Sequence, residues 1–190
     1  MPRRENRTSR RSPVHADRLR VLVVCGGKVT EPQYLKGLRN SVRSRALDLD
    51  FTAVPRSPAD VVAAAIRRSG PDFDEVWCVF DVDQFDIREA VRRAREREVN
   101  LAISNPCFEL WLLLHFERCN SHLRGYEAVV VKLKKHVPDY DKSVSFRHFE
   151  GRVTTAIANA KQLDASGTDH SKNPSTSVWR LVETIVGRDE

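Results

Sequence analysis

Asp81 and Asp83 stand two residues apart immediately after the apolar run Glu75-Val-Trp-Cys-Val-Phe80. On an extended chain, residues two apart face the same way, which puts the two carboxylates about 6–7 Å from one another. Their repulsion is about 0.6 kcal/mol in water and about 2.5 kcal/mol at an effective dielectric of 20, so a sheltered position favours a cation between them. Hard oxygen ligands at this spacing suit Mg²⁺ or Mn²⁺, which keep several waters and leave positions open for phosphate oxygens. The plain alternative is a solvated turn after a strand, with Asp86 as part of it.

Glu109 lies among Phe108, Leu110, Leu112 and Leu113, where a lone buried carboxylate is costly. Either it occupies the first turn of a helix, stabilised by the helix dipole and backbone donors, or it faces a crevice as a metal ligand or general acid/base. Gly26-Gly27-Lys28 could cradle a phosphate, but it fits neither GxGxxG nor GxxxxGK[ST], and a tight turn explains it equally. His115 reads as a hydrogen-bonded core histidine; with Cys119 and His122 it has only a loosely zinc-like spacing. Cys25, Cys78, Cys107 and Cys119 form no CxxC pair and read as buried small hydrophobes.

The elements that must carry these groups alternate. Leu19–Cys25 is a β-branched apolar run ending in Gly26-Gly27, as a buried parallel strand does before a helix. Thr30-Glu31-Pro32 supplies a cap and an early proline for a helix to about Ser44. A strand over Asp50–Val54 precedes a helix opened by Ser57-Pro58-Ala59-Asp60. The third strand is Glu75–Phe80, followed by a charged, solvent-facing helix from Ile87 to Glu98. The fourth strand is Val99–Ser104, and Asn105-Pro106 opens a core helix through Phe116. Further helices are predicted over Tyr126–His136, Gly151–Leu163 and Pro174–Val186, the last capped by Asn173, with loops at 137–149 and 164–173.

This pattern predicts an α/β fold: an open, mostly parallel four-stranded sheet flanked by helices, with a helical C-terminal portion. One domain covers 19–190, as a core over about 19–122 and an extension over about 123–190. In such a sheet the ligand crevice lies beyond the carboxyl ends of the strands, where Gly26, Gly27, Lys28, Asp81, Asp83 and Asn105 all fall.

Net charge sharpens the picture. The 190 residues hold 32 Lys+Arg against 26 Asp+Glu, a formal +6. Seven arginines, including Arg3, Arg4, Arg7, Arg10 and Arg11, face only Glu5 and Asp17 in residues 1–20, so the rest of the chain carries a net of only +1. Residues 1–18 therefore read as a disordered basic arm for nucleic acid. No stretch approaches the roughly 18 apolar residues of a membrane span, and no apolar segment follows the arginines as in a secretory signal, so a cytoplasmic location is expected.

Four strings in this order resemble the RloB family: Val23-Val-Cys-Gly-Gly-Lys-Val-Thr-Glu-Pro-Gln-Tyr34, Phe80-Asp-Val-Asp-Gln-Phe85, Ser104-Asn-Pro-Cys-Phe-Glu-Leu-Trp-Leu-Leu-Leu-His-Phe116 and Asn173-Pro-Ser-Thr-Ser-Val-Trp179. The resemblance implies a Toprim-like core and a Mg²⁺-dependent nuclease of bacterial phage defence, cleaving RNA or DNA beside an ABC/AAA-type ATPase partner. It assigns metal binding to Asp81 and Asp83. The family's acid/base glutamate at the end of the first strand falls on Gly26, which leaves Glu31 or Glu109 as substitutes, with Lys28 and Asn105 orienting phosphate. It also leaves the alternative of a non-catalytic partner that binds nucleic acid or regulates the ATPase.

Overall fold

Three apolar runs and one alternating segment form a parallel sheet. In the computed structural model, which describes residues 18–42, 47–82 and 85–187, β1 (Leu19–Cys25), β2 (Leu47–Ala53), β3 (Glu75–Asp81) and β4 (Asn100–Asn105) are parallel in the order β2-β1-β3-β4. β1 is central and buried on both faces, which is why it reads as a continuous apolar run. Its pleat divides the core. Val21, Val23 and Cys25 join one apolar layer, while Leu22 and Val24 join the other.

The first layer is covered by α1 (Thr30–Ser41), α4 (Glu109–Leu113), α5 (Gly125–Leu133), α6 (Val153–Leu163) and α7 (Val178–Val186). The second is covered by α2 (Pro58–Arg68) and α3 (Arg88–Glu96). α2 starts as predicted: Ser57 Oγ accepts from the Asp60 N–H at 3.3 Å, and Pro58 holds the first helical position. α3 buries only Ala90 and Ala94 and turns its charges to solvent. All four cysteines are buried and free, and among the described residues no helix is long and apolar enough to cross a membrane.

Three expectations need correction. The sheet has a fifth strand, β5 (Ser175–Thr176), antiparallel to β4. Asn105 pairs with Ser175 in that ladder, so it extends the strand and does not open a helix; α4 begins only at Glu109. The same pairing removes residues 174–176 from the last helix, which begins at Val178, and Asn173 bonds the backbone of Leu123 in place of capping it. The N-terminal arginines 3, 4, 7, 10 and 11 lie outside the described residues.

His115 is the hydrogen-bonded core histidine its apolar neighbours implied. Trp111 O can only accept, so the Nδ1–H donates to it at 3.0 Å and Nε2 accepts from Tyr34 Oη at 3.0 Å. Burial holds the imidazole neutral, with its pKa down to about 4. The unfolded chain, with a histidine pKa near 6.5, then binds more protons between these values. Stability should be intact above pH 6.5 and fall by about 3 kcal/mol as the pH drops toward 4, in urea unfolding followed across pH. A His115→Gln chain should lose that slope; an unchanged slope would assign it to other groups.

Candidate functional site

β1 and β3 are neighbours, yet the chain leaves β1 toward β2 on one side and β3 toward β4 on the other. This reversal opens a crevice at their carboxyl ends. A cleft of about 410 Å³ lies there, lined by Gly27, Lys28, Thr30 and Glu31 from the β1–α1 turn, Asp81 from β3, Cys107 and Glu109 from the β4–α4 segment, and Tyr126 and Lys142 from the C-terminal portion.

The turn is tight for a reason. The Gly26 N–H donates to Val79 O at 2.7 Å, drawing the chain over β3. The Glu31 carboxylate packs against Gly27, where a Cβ would meet both of its oxygens and displace it. Glu31, in the first turn of α1, is only 6% exposed. Burial raises its pKa above the usual carboxylate value and the charge of Glu109 adds to this, against the lowering effect of the Glu31 and Gly27 backbone N–H groups and Lys142. Thr30 is no cap; its hydroxyl donates to Lys142 O at 3.0 Å and ties the turn to the C-terminal portion.

Glu109 is 5% exposed and opens α4. It is therefore both a first-turn residue and a crevice residue. The Tyr140 hydroxyl donates to Glu109 Oε1 at 2.6 Å. Burial, then the Glu109 charge, push the tyrosine pKa well above its ordinary value, so it stays a donor. Cys107 is likewise held as a neutral thiol, first by burial and then by the charges of Glu109 and Asp81. Lys142 has φ +77°, uncommon for a residue with a side chain. Its ammonium lies 4.8 Å from the centroid of the Tyr126 ring at the cleft.

Tyr140→Phe should destabilise the fold by about 1.5–3 kcal/mol in urea unfolding, because a buried carboxylate oxygen loses a charge-assisted bond. A variant as stable as the parent would mean that Glu109 is not held by this contact.

The cleft thus gathers Glu31, Asp81, Glu109, Gly27 and Lys28. Gly26 flanks it, half-buried. Asn105 is elsewhere: it lines a second cleft and its amide donates to His170 O at 3.1 Å. Asp83 lies outside the described residues. Tyr140, Lys142 and Tyr126 are the site groups that sequence reasoning missed; two of them sit in a segment without periodicity, and Tyr126 read only as the start of a helix.

Among the described residues no group of three or more His, Cys, Asp or Glu is arranged to hold a metal ion. Mg²⁺ characteristically takes one or two carboxylates, waters and substrate phosphates in place of a full protein cage. The all-oxygen donor set of the cleft fits that chemistry. His115 is in the core, bonded at both nitrogens.

The model of a protein family described as RloB-like protein matches residues 21–185 of the chain. No curated protein and no solved structure matches it.

Proposed function

The chain belongs to the RloB-like family, and from that premise we propose that the carboxylate cleft hydrolyses phosphodiesters of RNA or DNA with Mg²⁺ or Mn²⁺, on a Toprim-like core. One observation carries this reading: Glu31, Asp81 and Glu109, from three separate elements, line a single cleft with Lys28 at the sheet's switch point.

Three carboxylates against Lys28 and Lys142 leave the cleft anionic when all are ionised. A phosphodiester is anionic too, so the site needs a cation to accept it. Asp81, with Asp83 two residues on, would hold the metal, which when bound polarises a phosphoryl oxygen and acidifies a water. Lys28 is exposed at the rim and Lys142 is held over Tyr126; on this reading both would orient the phosphate. Glu109, kept in place by the Tyr140 hydroxyl, suits proton acceptance. Glu31, whose burial favours the protonated form, suits proton donation to the leaving oxygen.

The family resemblance supplies the setting: phage defence in the cytoplasm, with an ATPase partner of the ABC/AAA type. Incubating the purified chain, with and without that ATPase, with tRNA or plasmid in Mg²⁺ or Mn²⁺ tests the activity. Intact substrate under every condition would sink it. A second reading has its own support in Gly26, which puts no acid at the end of β1. On it, the chain binds nucleic acid or regulates the ATPase without cutting.

A further inference from the structure

A second, larger cleft of about 810 Å³ opens beside the first, at the carboxyl ends of β3 and β4 but over the α3 layer of the sheet. Val82 continues the strand ladder by donating its N–H to Ser104 O at 2.9 Å, and next to Asp81 on an extended chain it faces the opposite way. Its floor is apolar: Val82, Phe85, Ile87 and Val91. Among the described residues its walls carry Arg88, Arg92, Arg95 and His170 with the acid Asp86.

Phe85 is 48% exposed, one of only three large apolar side chains so exposed among the described residues. A turn holds it there, its N–H donating to Val82 O at 3.0 Å. About half of the ring's surface is open to solvent, beside the arginines of α3. The charges around it are exchangeable. Arg92 bonds Glu89 and Glu96 at 2.8 and 2.5 Å, and Arg88 bonds Asp86 at 2.6 Å. All these pairs are more than half exposed, where an ion pair contributes at most about 1 kcal/mol. A phosphate can compete for such guanidinium groups, and Arg95 has no carboxylate partner among the described residues.

The geometry points to this groove as the docking site for an unpaired segment of the nucleic acid, one base stacked on Phe85 and the backbone running along Arg92 and Arg95. The inference rests on the phosphodiesterase reading of the neighbouring cleft and adds the substrate class: single strand, loop or bulge. A duplex keeps its base faces stacked and closed to an aromatic side chain, whereas an unpaired base offers its π-face in any sequence. Val82 and Asn105 of the groove adjoin Asp81 and Pro106 of the carboxylate cleft along the chain, so the two openings are neighbours at the carboxyl ends of β3 and β4.

Fluorescence anisotropy of labelled oligouridylate and of a matched duplex, on the full chain carrying Asp81→Ala to prevent cleavage, tests this. Phe85→Ala should weaken single-strand binding about 5- to 100-fold, the range spanned by loss of one base–aromatic stack. Phe85→Trp should retain it, duplex binding should be indifferent to both, and Arg95→Ala should lower the salt slope by about 0.7 for one lost phosphate contact. Since Phe85 and Arg95 are exposed, the fold should survive these changes. Equal binding by the Phe85→Ala chain would overturn the proposal, and so would a mononucleotide that competes as well as the oligomer. Phe85-dependent binding by a chain that cuts nothing with Asp81 intact would keep the groove and discard the nuclease. Cleavage that needs Asp81 but has the same KM in Phe85→Ala would do the reverse.

Discussion

Asp81→Ala in the full chain should reduce Mg²⁺- or Mn²⁺-dependent cleavage by at least about 10²–10³-fold, the scale on which losing one preorganised electrostatic contact acts. Asp81 closes β3 in register with Ser104 and is half-buried, so its removal trims the end of a strand and leaves both apolar layers untouched. Circular dichroism should therefore match the parent, and the loss should lie in kcat with a weaker apparent affinity for Mn²⁺. A variant that cuts at the parental rate would remove Asp81 from the chemistry and discard the cleft as the metal site.

The second large effect concerns the acid that β1 lacks. Glu31→Gln should lower the rate by about 10²–10⁴-fold, as expected for a lost general acid/base. Gly26→Glu should then restore part of it. A Cβ at Gly26 meets Phe80 Cβ at 3.2 Å, so the neighbouring side chain has to yield only slightly. In the parent background Gly26→Glu should give no large gain, because Glu31 already fills the role. A large gain there would show a site crippled by Gly26 and favour the non-catalytic reading.

β1, β3 and β4 were readable in the sequence because each is a buried apolar run closed by a polar turn, and burial on two faces writes itself into composition; β2 (Leu47–Ala53), which alternates leucine with aspartate, starts three residues before the expected Asp50. β1 and the start of β3 fall where the runs do. β5 was not readable: Ser175 and Thr176 carry no apolar pattern, and their strand exists only because β4 presents an edge to them. Asn105 was misplaced for the same reason, since Asn-Pro resembles a helix start until a partner strand extends the ladder past it. Of the site, Asp81 showed as a polar group at a strand end and Glu109 as a charge inside an apolar run, whereas Glu31 read as part of a helix start and stood out only through the family resemblance. Tyr140 and Lys142 did not show. They come from a loop whose position is set by tertiary contacts, Thr30 with Lys142 and Glu109 with Tyr140, and no local spacing encodes those.

Those two contacts also order the site in time. A chain emerging from the ribosome has already delivered Glu31, Asp81 and Glu109 when residue 109 is out, but the hydroxyl that holds Glu109 arrives 31 residues later, and the carbonyl that receives Thr30 comes 112 residues after that threonine. β5, which completes the sheet edge behind the cleft, is later still. A fragment released after residue 109 and before residue 140 therefore possesses every carboxylate but lacks the Tyr140 and Lys142 contacts. If the cleft cuts nucleic acid, assembly from the far end of the chain makes translation itself a safeguard: aborted products are born unarmed.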